Sequence, residues 1–133
     1  MMDFSKYKDA DLLAIRIIVA AIFIFAAYAK FGFWSATPEG MSASMVNLMK
    51  FLSIVEMIGG LAVLVGFLTR WAALGLAIIM VGAIFVLQFT MQIGFATPTG
   101  AGWNFPLAVL GCCLALKVFG PGNWSMDAKM GRA

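Results

Sequence analysis

A chain of 133 residues that is 63% apolar and 11% charged, with a mean hydropathy of +0.99, lies outside the range of soluble domains, which run at about 45–50% apolar and about 25% charged. A water-soluble fold of this size cannot bury so much apolar surface, so the bilayer is its solvent. The net charge of +3 comes from nine scattered cations, which suits membrane-orientation signals and argues against a nucleic-acid partner. Histidine is absent, which removes His-ligated haem, most zinc and copper sites and histidine base chemistry; no haem or metal is expected from this chain alone.

The first eleven residues are polar, with Lys6 and Lys8, and Asp9 or Asp11 is placed to cap the first helix. An apolar run over about 12–33 follows, long enough to cross about 30 Å of hydrocarbon. Basic residues before it and Ala27-Tyr28-Ala29 within it imitate a cleaved signal peptide. The apolar part of such a signal runs only about 7–15 residues, however, so the segment reads as a span. Residues 34–44 form a loop by Pro38 and Gly40, with Ser42 or Ser44 as the next N-cap. A second span covers about 45–66. Gly66 suits the position just past its end, and Thr69 the cap of the next helix.

The third span is expected over about 71–95, followed by a breaker-rich loop at 96–102. Asn104 caps a fourth over about 104–119, with Pro106 in its first turn, and Gly120-Pro121-Gly122 stops it. Ser125, with Asp127 behind it, starts a short interfacial helix, and Trp124 sits at headgroup level. No repeat or linker divides the chain, so residues 1–133 form one domain. The fold expected is an all-α integral membrane protein, an antiparallel bundle of four transmembrane helices. Placing both termini in the cytoplasm puts Lys6, Lys8, Arg16, Arg70, Lys117, Lys129 and Arg132 inside and only Lys30 and Lys50 outside.

Glu56 is the one carboxylate set deep in an apolar run. At the centre of a span an ionised acid costs about 2.5–3.5 kcal/mol, so it persists where it is neutral, paired or facing a protein-lined interior. Gly59 and Gly60 follow it at i+3 and i+4, on the same face, and open a space beside it. Arg16 and Lys30 share a face of the first span about 21 Å apart. Either leans towards Glu56 or snorkels to headgroups. Gln88 and Gln92, at i and i+4, line one face of the third span as ligand-binding amides or as interhelical glue. Trp103 and Asn104 stand where they would roof a cavity or anchor the interface. Cys112 and Cys113 are adjacent, point about 100° apart on a helix and cannot pair without distortion, so they read as small apolar filler. The ten methionines read as pliable packing.

These features together resemble the DoxX family of small bacterial four-helix membrane proteins. The resemblance rests on Arg16, on Ala29-Lys30-Phe31, on Glu56-Met57-Ile58-Gly59-Gly60, on Gly66-Phe67-Leu68-Thr69-Arg70, and most specifically on Gly120-Pro121-Gly122-Asn123-Trp124-Ser125-Met126-Asp127. Many members carry an acid where this chain has Asn104, and a basic residue where it has Asn123. The resemblance implies a place in quinone-linked sulfur oxidation or in membrane oxidoreductase assemblies against oxidative stress, in the bacterial inner membrane.

The function expected is therefore that of a small integral oxidoreductase subunit, with Glu56 as its catalytic residue. Arg16, Lys30, Gly59, Gly60, Gln88, Gln92, Trp103 and Asn104 would bind a quinone or lipid-like ligand. Arg70, Gly120, Pro121, Gly122, Ser125 and Asp127 would form a structural motif. Membrane lipid and other subunits, or further copies of the chain, are the partners expected. The alternatives are a non-catalytic anchoring subunit, with small residues Ala72, Gly75 and Gly82 facing outward, and a small transporter or proton-conducting element.

Overall fold

In a computed structural model, residues 2–132 are described; Met1 and Ala133, the bounds of the domain expected from the sequence, lie outside them. Four long helices carry the fold: α1 Lys8–Lys30, α2 Ala43–Val65, α3 Thr69–Phe85 and α4 Asn104–Phe119, followed by one turn, α5 Met126–Lys129. α1 packs along α2 and α3 along α4, and the two hairpins meet chiefly through α2 and α3.

The segments Ser5–Trp34, Ala43–Val65 and Thr69–Thr90 are each long and apolar enough to cross a membrane. The fourth helix is apolar but has only 16 residues, about 24 Å of rise, less than a full hydrocarbon core of about 30 Å. Outward-facing side chains are large and apolar, among them Phe25, Tyr28, Ile58, Ile78 and Phe85. A narrow core of Val19, Phe23, Val63, Leu76, Val109, Cys113 and Leu116 joins the helices. The buried polar groups are Arg16, Ser53, Glu56, Thr69, Ser125 and Asp127. Polarity inside and apolar bulk outside is the arrangement a lipid solvent selects.

Several caps follow the sequence. Ser42 Oγ accepts from the Met45 amide at the start of α2, and Ser125 Oγ from the Ala128 amide at the start of α5. Gly66 ends α2 at φ +74°, a left-handed turn that a side chain adopts only under strain.

Other caps differ. α1 starts without a side-chain cap; Asp9 instead accepts from the amide and the side-chain Nδ2 of Asn123, and no side-chain hydrogen bond ties Asp11 to the helix start. Thr69 is the first residue of α3 rather than its cap, and Asn104 the first of α4. The third helical segment also ends earlier than expected. After Phe85 the chain widens into a π-helical turn, Val86–Thr90, in which the Met91 amide reaches the Val86 carbonyl at 2.9 Å. Gln92 then turns left-handed at φ +54°, and a small hairpin pairs β1 Ala96–Thr97 with β2 Gly100–Ala101. The hairpin is fixed to the bundle by the Asn104 amide donating to the Phe95 carbonyl at 3.0 Å.

Candidate functional site

Two polar clusters occupy opposite ends of the bundle. The first gathers the two glycine-rich motifs around Arg16 and forms a clamped end. The Arg16 side chain is 2% exposed, and every hydrogen bond it makes goes to main-chain carbonyls. Nε donates to Val63 at 2.9 Å, Nη2 to Leu64 at 2.6 Å, and Nη1 to Pro121 at 3.2 Å and Trp124 at 2.7 Å. The last carbonyls of a helix lack partners within it. One guanidinium therefore closes the end of α2 and ties the Pro121–Trp124 turn to it. The guanidinium lies so close to Gly66 that a β-carbon there would meet it and Ser125.

Asp127 performs the complementary task at the start of α3. Its Oδ1 accepts from the Leu68 amide and its Oδ2 from the Thr69 amide, both at 2.9 Å. A carboxylate at a helix N-terminus satisfies free donors and opposes the positive end of the helix dipole. Arg70 caps the end of α4, donating to Lys117 at 3.0 Å and to Val118, with its guanidinium against Gly120. The motif residues Arg70, Gly120, Pro121, Gly122, Ser125 and Asp127 thus meet in one place.

At the other end, α1, α2, α3 and α4 border a cavity of about 430 Å³. Ile22, Phe23 and Ala26 line it from α1, Met45, Leu48, Met49 and Leu52 from α2, and Met80 and Ala83 from α3. Leu87 of the π turn and Phe105 and Pro106 of α4 complete the wall. Among the described residues, its only polar side chains are Lys30 and Glu56. Lys30 Nζ donates to Glu56 Oε2 at 2.8 Å, with Lys30 21% and Glu56 3% exposed, and makes a longer contact with the Ala26 carbonyl at 3.4 Å. No group among the described residues donates to Glu56 Oε1. The ion pair therefore keeps one carboxylate oxygen available where it borders the cavity.

Of the two cations left open by the sequence, Lys30 is the partner of Glu56. Arg16 is engaged at the clamped end, fourteen residues or about 21 Å along the helix. The glycines next to Glu56 serve helix packing: Gly60 lies against Phe23 and Ile24 of α1, and Gly59 against Leu76 of α3. Gln88 lies in the π turn and Gln92 in a left-handed conformation just beyond it; both are exposed, and neither lines the cavity. Trp103 and Asn104 also stand away from its wall. Trp103 packs edge-on against Phe95 with centroids 4.7 Å apart, and Asn104 Oδ1 accepts from the Gly102 amide at 3.0 Å. Phe105 and Pro106, one and two residues further on, take the lining positions instead.

The sequence reading missed one support of the site. Trp34 Nε1 donates to Ser53 Oγ at 3.1 Å, Ser53 Oγ donates to the Lys50 carbonyl at 2.6 Å, and Lys50 Nζ lies 5.4 Å from the Trp34 ring centroid. Ser53 is three residues before Glu56, on the same helix face, and that spacing was its signal. The Trp34–Ser53 bond fixes the end of α1 against α2 next to the ion pair. Cys112 and Cys113 are unpaired, and Cys113 lies in the core.

Comparison with known proteins agrees with this architecture. The DoxX family model matches residues 12–89, covering the buried arginine, the ion pair and the first three helices. The inner membrane protein YqjF of Escherichia coli is 32% identical over 92% of this chain and 94% of its own. An uncharacterized protein of Haemophilus influenzae is 27% identical over 97% of both chains. An uncharacterized membrane protein of Mycobacterium tuberculosis is 29% identical over 92% of this chain and 82% of its own. No solved structure matches. The chain is a membrane protein of the DoxX family.

Proposed function

We propose that this protein is a small subunit of an oxidoreductase complex in the bacterial inner membrane, and that its cavity holds a quinone or lipid-like ligand beside Glu56. The observation that carries this reading is the Lys30–Glu56 pair, the only polar feature in the wall of an otherwise apolar cavity. A site with one convergent polar feature and apolar walls suits a molecule with a small polar head and an apolar body. When bound, a quinone supplies two-electron chemistry coupled to protons. Glu56 is placed to accept or return a proton at Oε1, and Lys30 balances its charge. Electrons come from a partner subunit, because among the described residues no group of His, Cys, Asp and Glu is arranged to hold a metal.

Orientation follows from the cations: the clamped end carries seven of the nine and faces the cytoplasm, with the fourth helix completing the crossing. To test the reading, wild type and Glu56→Gln are purified in mild detergent, and co-purifying polypeptides and extractable quinone are measured. The expected result is quinone above the lipid background in wild type alone. Equal amounts in both would remove the reading.

An anchoring role has its own supporting observation. A second hollow of about 370 Å³ lies between α2 and α3, lined by Gly59, Ala62, Ala72 and Gly75 with Phe67 and Trp71. Small residues of this kind let a neighbouring helix approach closely. Gly82 belongs instead to the cavity wall.

A further inference from the structure

We infer that the cavity selects a ligand whose polar head carries a hydroxyl group, and so holds the dihydroxy form of a quinone-like molecule in preference to the dicarbonyl form. This rests on the amphipathic-ligand reading above and assigns the chemistry of the head. The argument is a count of hydrogen-bonding capacity. An ionised carboxylate only accepts, and an ammonium only donates, through three N–H groups. Glu56 Oε2 is filled by Lys30, and Oε1 has no donor among the described residues. Lys30 directs one N–H to Glu56 and one to the Ala26 carbonyl, which leaves one.

The neighbouring polar groups are already engaged. Ser53 Oγ accepts from Trp34 and donates to the Lys50 carbonyl, so its one proton is not available to Glu56. The methionines in the wall bring only weak acceptors. The cavity therefore presents one strong acceptor and one donor from adjacent side chains.

A hydroxyl both donates and accepts, and one such group completes the two together. A carbonyl accepts from Lys30 but offers no donor to Glu56 Oε1, which borders the cavity. Sites built to pair a hydroxyl reject analogues that lack it far more strongly than apolar pockets reject a misfit in size.

The probes are decylubiquinol and decylubiquinone, which share a tail and differ in the head. Binding of each to the full chain in lipid nanodiscs is measured by calorimetry, under reducing and oxidising conditions respectively. Wild type is expected to bind the quinol at least about tenfold more tightly, the ratio that one added hydrogen bond to a charged acceptor supplies. Glu56→Gln replaces an acceptor with an amide that also donates, so this ratio should collapse or invert.

Equal affinities in wild type, or a quinol preference that persists in Glu56→Gln, would overturn the inference while the amphipathic-ligand reading stands. Binding of neither probe to wild type would overturn both. Should Glu56→Gln fail to fold, the wild-type ratio decides by itself.

Discussion

The two ends of this bundle use the same kinds of residue to opposite effect. At the clamped end, Arg16 and Asp127 direct their hydrogen bonds to the main chain, and every one of these bonds joins different parts of the sequence. At the cavity end, Lys30 and Glu56 pair with each other, and one carboxylate oxygen is left without a donor. A buried charge whose hydrogen bonds all go to the protein's own main chain stabilises a particular fold. A buried pair with capacity to spare, beside an apolar cavity, suits the proposed binding of something that is not part of the chain.

That contrast predicts unequal responses to substitution. The largest effect is expected for Arg16→Met. It removes the guanidinium from four main-chain carbonyls, of which Val63 keeps the Gly66 amide as a donor, and should lower stability by about 3–5 kcal/mol, the loss typical of removing one side of a buried charged network. Thermal unfolding in detergent measures it, and a change below about 1 kcal/mol would mean that the carbonyls find other partners.

Gly66→Ala comes next. It forces a side chain into a left-handed turn and against Arg16 and Ser125, and a loss of about 2–3 kcal/mol is expected. Asp127→Ala removes the N-terminal cap of α3 and should cost about 1–2 kcal/mol. Hydrogen exchange should show this loss first in the amides of Leu68 and Thr69. At the cavity end, Trp34→Phe removes a single neutral hydrogen bond to Ser53 and should cost about 1 kcal/mol. Glu56→Gln should change stability least among the buried polar positions while abolishing ligand retention. If it instead destabilised the fold as much as Arg16→Met, the difference between the two ends would disappear.

Much of this was legible in the sequence, and the limits have identifiable causes. Four apolar runs, the Ser42 and Ser125 caps and the glycine at position 66 are local signals, and they placed the helices. Glu56 was recognisable as the lone acid within an apolar run. Its partner was not, because helical rise gives depth along an axis but not the rotation of one helix against another. Helical rise puts Lys30 slightly nearer to Glu56 but leaves Arg16 open as well, and the structure separates the two.

The cap of α3 was missed for a similar reason. Thr69 satisfied the local pattern, yet the carboxylate that binds its amide comes from Asp127, 58 residues later in the chain. The expected run of regular helix through Gln88 and Gln92 failed through backbone geometry, since nothing in VLQFT announces a π turn. The cavity itself has no local signature. Its wall is assembled from four helices; of its lining the sequence had marked Lys30 and Glu56 as site residues, and had read Met45, Met49 and Met80 as pliable packing.

The central claim is that a ligand's polar head sits against Glu56 within the cavity at the open end. Photo-crosslinking with an azido-quinone in native membranes, followed by peptide mapping, tests it most directly. Saturable adducts on Leu48, Met49, Leu52 or Leu87, displaced by unlabelled quinone and lost in Glu56→Gln, are the result expected. Adducts confined to outward residues such as Phe25, Ile58 and Ile78, unaffected by competitor or by the substitution, would contradict it.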